Sequence, residues 1–387
     1  MKIQQVNTQQ QINQFHQLPF KIYQNDSNWI PHLRQDVEKV FDSQKNKAHA
    51  HGKIIRWLLY DAKNEVIGRI AAFVNNKTAD TFDCPTGGVG FFECVNDQQA
   101  ANLLFDTAKE WLSELGIKAM NGPINFGEKN MFWGLLIENF TDPNSYGMNY
   151  NPPYYQKLFE TYGFKMYYKQ FMFKRSVLEA PAQVFEDKSD RILADQNYSI
   201  KNVVGMSLNE IADNFKVVYN SAWASHDNFK EMNTATARKM MNNLKPIYDA
   251  NIIFFVFYKQ KPIAFYVNIP ELNELFKYVN GNLNWWGKLK FLYHKKFHPP
   301  TTMVGIVFGV SKRFQGKGVD GAMIKWAYNS LNEKKRYKET VLTWIGDFNP
   351  KMLKIAEHLD AKVYRTYYTY RYLFDKNQPF ERSPIIE

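Results

Sequence analysis

The chain has 387 residues, of which 45% are hydrophobic and 22% charged. That length exceeds a common single domain of roughly 100–200 residues, and that balance excludes wholesale disorder and fibrous repeats, so two cores are expected. Lysine and arginine number 49 against 38 acidic residues, a formal net charge of +11, which favours anionic partners such as nucleotides, phosphorylated cofactors, RNA or acidic membranes.

The opening MKIQQVNTQQQINQF holds no apolar stretch fit for a signal-peptide core, and the longest apolar run, Ile252 to Tyr258, is far too short to span a bilayer. Strands are predicted at Ile54 to Tyr60 and Val66 to Val74, joined by the polar turn Asp61 to Asn64. A third apolar run, Gly88 to Cys94, leads into a helix with Ala100, Leu104, Ala108, Trp111, Leu112 and Leu115 on one face and Gly116 at its end. Cys84 and Cys94 are the only cysteines, too few for a disulfide framework and not spaced as a zinc site, so a reducing compartment and a cytoplasmic protein are expected.

The second half repeats this order. Strands are predicted at Ile252 to Tyr258, Ile263 to Ile269 and Met303 to Val310, followed by a helix with Val319, Ala322, Met323, Trp326, Ala327 and Leu331 on one face. We read an internal duplication at domain size: residues 1–175, a connection over 176–197 and residues 198–387.

Phe308-Gly309-Val310-Ser311-Lys312-Arg313-Phe314-Gln315-Gly316-Lys317-Gly318-Val319-Asp320-Gly321 runs from a strand through a glycine loop into that helix. A helix N-terminus offers unpaired N–H groups and partial positive charge, and Gly316 and Gly318 lack the Cβ atoms that would keep a phosphate away. The alternative is a solvated strand-to-helix turn. The loop lacks the Lys-Ser/Thr of a P-loop and the three-glycine spacing of a dinucleotide site. No H-E-x-x-H or G-x-S-x-G occurs.

Gln315, Gly316, Lys317, Gly318 and Val319 match in order the Q/R-x-x-G-x-G/A motif of the GNAT N-acetyltransferase superfamily, which this loop resembles; Asp320 stands where that pattern has Gly or Ala. Thr343 to Met352 is similar to the fifth strand and turn of these enzymes, with Asn349 at a position that often contacts the cofactor, and Ile355 to Ala361 to the next helix. Asn151 to Tyr155 and Leu158 to Phe164 resemble the closing helix and strand of a first GNAT domain. The resemblance implies an α/β fold of two tandem GNAT-like domains, each a mixed, mostly antiparallel twisted sheet flanked by helices. It implies acetyl-CoA, or another acyl-CoA, held by Phe308, Gly309, Val310, Arg313, Gln315, Gly316, Lys317, Gly318, Val319, Asp320 and Asn349. The usual thiolate-protonating Tyr is replaced by Ala356, which leaves Tyr364, His358 or water as donors. In the first half, Val95 to Ala100 has no glycine, and Asn96 or Asp97 is suited to cap the helix, so that half is expected to hold no cofactor.

His226 beside Asp227, and Glu271, are candidate bases for an amine acceptor; the plainer reading of His226 is a surface residue beside a turn. Asn284 to His298 holds four lysines, two histidines and five aromatics without an acid. Membrane or RNA binding is one reading; a helix packing its aromatics inward is the expected one. Tyr364 to Tyr372 alternates as a strand does. The function expected is acyl-CoA-dependent N-acylation, acetyl first, of a small-molecule or peptide amine. The alternatives are a non-catalytic acyl-CoA-binding protein of the same fold and a Fem-type aminoacyl transferase using tRNA.

Overall fold

The computed structural model describes residues 1–224 and 230–386. The first half comprises β1 (Lys2–Gln5), α1 (Gln9–Ile22), α2 (Arg34–Phe41), β2 (Gly52–Tyr60), β3 (Val66–Asn75), β4 (Thr86–Cys94), α3 (Gln98–Glu114), β5 (Ala119–Gly122), β6 (Leu135–Glu138), α4 (Tyr155–Tyr162) and β7 (Lys165–Ser176). The second comprises α5 (Gln183–Leu193), β8 (Tyr198–Asn202), α6 (Leu208–Trp223), α7 (Thr234–Leu244), β9 (Ile253–Tyr258), β10 (Lys261–Pro270), α8 (Asn273–Phe276), α9 (Trp285–Phe297), β11 (Thr302–Val310), α10 (Val319–Lys334), β12 (Glu339–Gly346), α11 (Pro350–His358) and β13 (Lys362–Leu373).

All 13 strands join one sheet in the order β1-β2-β3-β4-β5-β13-β7-β12-β11-β10-β9-β8, with β6 paired to β13 off that path. The pairs are antiparallel except β4 with β5 and β11 with β12. A parallel pair needs a crossover, and α3 and α10 supply it in the two halves. Ala100, Leu104, Ala108 and Leu112 of α3 pack into one core, and Val319, Ala322, Met323, Ala327 and Leu331 of α10 into another. This is the mixed, mostly antiparallel sheet with flanking helices that the sequence implies.

The last strand crosses over. β13 inserts between β5 and β7, while β7 pairs with β12 of the second half. A central strand has no open edge, and Arg365, Tyr367, Tyr370 and Arg371 of β13 are accordingly buried.

α9 overturns the expectation of inward-packed aromatics. Only Gly287 of this helix is fully buried. The stripe that meets the protein is narrow: Phe291 stacks on Phe276 and His294 on Tyr278, and both partners belong to α8 and the turn after it. Trp285 and Trp286 face outward.

Candidate functional site

β11 ends at Val310, and Ser311 N–H donates to Ile263 O at 2.8 Å, which ties the start of the loop to β10. A single 3-10 turn, Lys312–Phe314, follows. Gln315 folds back so that its Nε2 donates to Val310 O at 2.9 Å. Gly316 (φ 71°) and Gly318 (φ 89°) then take left-handed conformations, which glycine adopts without strain. Gly318 is the N-cap of α10, and no side chain caps that helix.

Among the described residues, no acceptor meets the N–H groups of Gly316, Gly318, Val319, Asp320 or Gly321. The equivalent turn in the first half is closed: Asp97 Oδ1 accepts from Gln99 N–H at 2.8 Å and from Ala100 N–H at 3.3 Å. One crossover helix thus has its N–H groups satisfied by a carboxylate, and the other presents them free, as an anion site requires.

α5 adds charge that the loop sequence does not contain. Arg191 Nη2 donates to Lys317 O at 2.8 Å, and Lys188 Nζ lies 4.0 Å from Asp320. Asp320 therefore has a cation beside it. A cavity of about 420 Å³ opens here, lined by Lys188, Arg191, Gly316, Gly318 and Asp320 among others. No described atom lies within 4 Å of the position a Cβ on Gly316 would take. The cradle fits a diphosphate: free amides, open space over Gly316 and cations around the rim.

A second cavity, of about 470 Å³, lies between α10 and α11, within the range of about 300–1,000 Å³ usual for small-molecule sites. β11 and β12 pair from Thr302 to Gly305 against Glu339 to Leu342 and part beyond that point. The cavity runs from Phe308, Phe348 and Asn349 on the parted side back to Met303, Leu331 and Ala361 on the paired side. Ile324, Ala327 and Tyr328 of α10 face Met352, Ile355 and Ala356 of α11 across it, so its walls are chiefly apolar. Ala356, where the resemblance expects Tyr, is a wall residue that leaves the space open. Asn349 lines the same cavity and caps α11, accepting from Met352 N–H at 3.2 Å.

The other cofactor residues divide by face. Phe308 lines the apolar cavity, whereas a Cβ on Gly309 would meet Trp223 of α6 at 2.8 Å, so Gly309 faces the other side of the sheet. Val319 points into the core, leaving only its N–H to the loop. Val310 packs against the same core, while Arg313 and Lys317 are exposed.

Trp344 lines the cavity and also packs in an aromatic cluster with Tyr150, Met172, Tyr364 and Tyr367. Glu271 is electrostatically coupled to that cluster through Tyr364 and Tyr367. Its Oε1 accepts from Tyr146 N–H at 2.9 Å and Asn273 N–H at 3.0 Å, while Oε2 is buried without a partner. Burial raises the Glu271 pKa and holds the Tyr364 phenol protonated. Arg365 Nε and Nη1 and Tyr367 Oη are likewise buried without a well-formed hydrogen bond, and the Arg365 and Tyr367 side chains act on each other by charge and by side-chain polar contact. Such orphaned atoms mark places where a bound molecule can supply the missing partner.

Glu271 is buried and Tyr364 half-buried, and the Glu271 carboxylate is the smallest of the charges that act on the Tyr364 phenol. His226 and the side chain of His358 lie outside the described residues. Sequence reasoning missed Lys188, Arg191, Arg365 and Tyr367; the lysine and arginine of the 176–197 connection were the available signal for the first two. A smaller cavity of about 190 Å³ is lined by His16, Arg69 and Glu93 of the first half and by Asn280 to Asn282 of the second. Its charges pair with one another: His16 with Glu38 at 2.6 Å, and Arg69 with Glu93 at 3.4 Å, where Tyr23 and Tyr155 also donate to Glu93. That network satisfies most of its members internally, and Arg69 Nε alone among these side chains is buried without a partner.

No protein-family model matches the chain. Protein YghO of Escherichia coli (strain K12) is 24% identical over 360 residues, 91% of this chain and 90% of that protein. A bacterial ceramide synthase of Caulobacter vibrioides is 24% identical over 370 residues, 94% of this chain and 95% of its own. Among solved structures, a tandem GNAT protein from the clavulanic acid biosynthesis pathway superposes with a TM-score of 0.55 at 11% identity, over 97% of this chain and 99% of that one. A GCN5-related glucosamine N-acetyltransferase region of a fungal multi-domain protein gives 0.54 at 11% identity, over 96% of this chain and 38% of that one. The strand order, the two crossovers and this likeness agree: the chain has the tandem GNAT fold.

Proposed function

We propose that this chain is an acyl-CoA-dependent N-acyltransferase whose donor is held by residues 198–387 and carries a fatty acyl group longer than acetyl. Residues 1–175, joined through 176–197, shape the acceptor side. The observation that carries this reading is the apolar cavity between α10 and α11, which continues past the point where β11 and β12 part and has Ala356 in its wall. The name of the Caulobacter relative supports the same direction, since a ceramide is an N-acylated long-chain amine; a long-chain amine is accordingly the acceptor class proposed here.

The donor supplies a thioester. The free amides of Gly316, Gly318 and Val319, with Lys188 and Arg191, hold its phosphates. Asn349 and Phe308 border the path of its arm. The acceptor amine attacks the carbonyl carbon; the C–N bond forms, the C–S bond breaks, and the amine proton passes to a base, for which Glu271 is the proposed group. Tyr364 keeps its proton at neutral pH and is the proposed source of a proton for the departing thiolate, in place of the residue that Ala356 replaces.

The test is release of free thiol from acyl-CoA donors of increasing length in the presence of a long-chain amino alcohol. Each methylene buried is worth about 0.8 kcal/mol, so kcat/KM with palmitoyl-CoA is expected to exceed that with acetyl-CoA by tenfold or more, roughly. Equal or faster reaction with acetyl-CoA would contradict the fatty acyl reading. Binding without thiol release from any donor would leave the non-catalytic alternative standing.

A further inference from the structure

α9 holds six large apolar side chains out in solvent: Trp285 (65% exposed), Trp286 (67%), Leu289 (41%), Leu292 (59%), Tyr293 (55%) and Phe297 (57%). Helical spacing gathers them. Trp285, Leu289, Leu292 and Tyr293 form one stripe, with Trp286 and Phe297 beside it, opposite the stripe of Gly287, Phe291 and His294 that meets the protein. Lys288 and Lys295 border this face on one side and Lys290 on the other, Lys296 lies within it, and the helix contains no acid.

We propose that α9 is a membrane-surface anchor that lies in the headgroup layer of an anionic bilayer. The aromatic rings and leucines enter the acyl boundary, and the lysines extend along it to anionic headgroups. Charge complementarity carries the choice of partner: Lys288, Lys290 and Lys296 stand on or beside an otherwise apolar face that has no acid, while Lys295 is held by Pro246 O at 2.7 Å, in a chain of net charge +11. Trp and Tyr are the side chains favoured at that depth. A single-stranded RNA is served less well, because Leu289 and Leu292 offer no ring to stack on and the helix has no arginine. With 13 residues, α9 is about 20 Å long and cannot cross a hydrocarbon core of about 30 Å, so it lies on the surface. The inference goes beyond the acyltransferase reading and is tested without a donor.

The measurement is co-sedimentation of the full chain with phosphatidylcholine vesicles, with and without phosphatidylglycerol, over a range of salt. Wild type is expected to bind phosphatidylglycerol vesicles, with binding that falls as salt rises. Trp285→Ser/Trp286→Ser and Lys288→Glu/Lys290→Glu are each expected to weaken it tenfold or more, roughly. These side chains are exposed, so the thermal transition of both variants is expected to match wild type; a blue shift of tryptophan emission on adding vesicles gives a second readout. Absence of wild-type binding, or equal binding by the variants, would overturn the proposal. So would tighter binding to a single-stranded RNA, or a dimer in light scattering that Trp285→Ser/Trp286→Ser dissolves. Thiol release by wild type that shows no vesicle binding would count against this inference alone, and vesicle binding by wild type without thiol release against the acyltransferase reading alone.

Discussion

At Glu271 one carboxylate oxygen is satisfied twice, by the N–H groups of Tyr146 and Asn273, and the other is buried without a partner. Burial raises its pKa, so the ionised group is less favourable in the folded chain than in the unfolded one. Any stability it contributes is fully present below the unfolded pKa and is lost as pH rises through the folded value. Glu271→Gln keeps the acceptor oxygen and removes the charge. Its melting temperature is expected to be at least that of wild type near neutral pH, with the difference closing or reversing in acid, while thiol release falls tenfold or more, roughly. Thermal scans against pH beside kinetics check this; a less stable variant at neutral pH, or full activity, would contradict it. The left-handed glycine turn at Gly316 and Gly318 before a helix was legible in the sequence because spacing alone sets it, whereas Asn349 was named only through the resemblance. Lys188 and Arg191 were not legible, because α5 brings them to the loop from far along the chain, as the bond from Arg191 to Lys317 across 126 positions shows.

α3 and α10 occupy matching places as crossover helices, yet only α3 is capped by a side chain, Asp97. Hairpins, crossover helices and these two turns were readable from short-range pattern. The outward aromatics of α9 were not, since the same composition serves a packed or an exposed helix until its neighbours are known; α8, only four residues long, is too short to cover it. α11 places Ala356 in the cavity wall, where a larger side chain takes up space that the proposed acyl chain would use. Ala356→Phe is therefore expected to lower kcat/KM for palmitoyl-CoA by tenfold or more, roughly, with a smaller effect on acetyl-CoA. Parallel donor titrations check it; an equal loss for both donors would point to a general packing defect.

For the whole chain, the exchange of β13 and β7 makes one sheet of two sequence repeats. No local pattern announces such an exchange, because strand alternation in Tyr364 to Tyr372 says which faces are buried and nothing of which neighbours are chosen. The two halves also meet through side chains: Tyr146 N–H of the first half donates to Glu271 of the second, and Trp344 packs against the cluster that holds Tyr150. The duplication is unequal at the point that matters for the donor, since Asp97 occupies the amides of one half and nothing among the described residues occupies those of the other. Calorimetric titration of the full chain with CoA tests this most directly. The account predicts one site per chain, weakened tenfold or more, roughly, by Gly316→Val, whose side chain enters otherwise open space over the free amides. Two sites per chain, no saturable binding, or an affinity unchanged in that variant would contradict it.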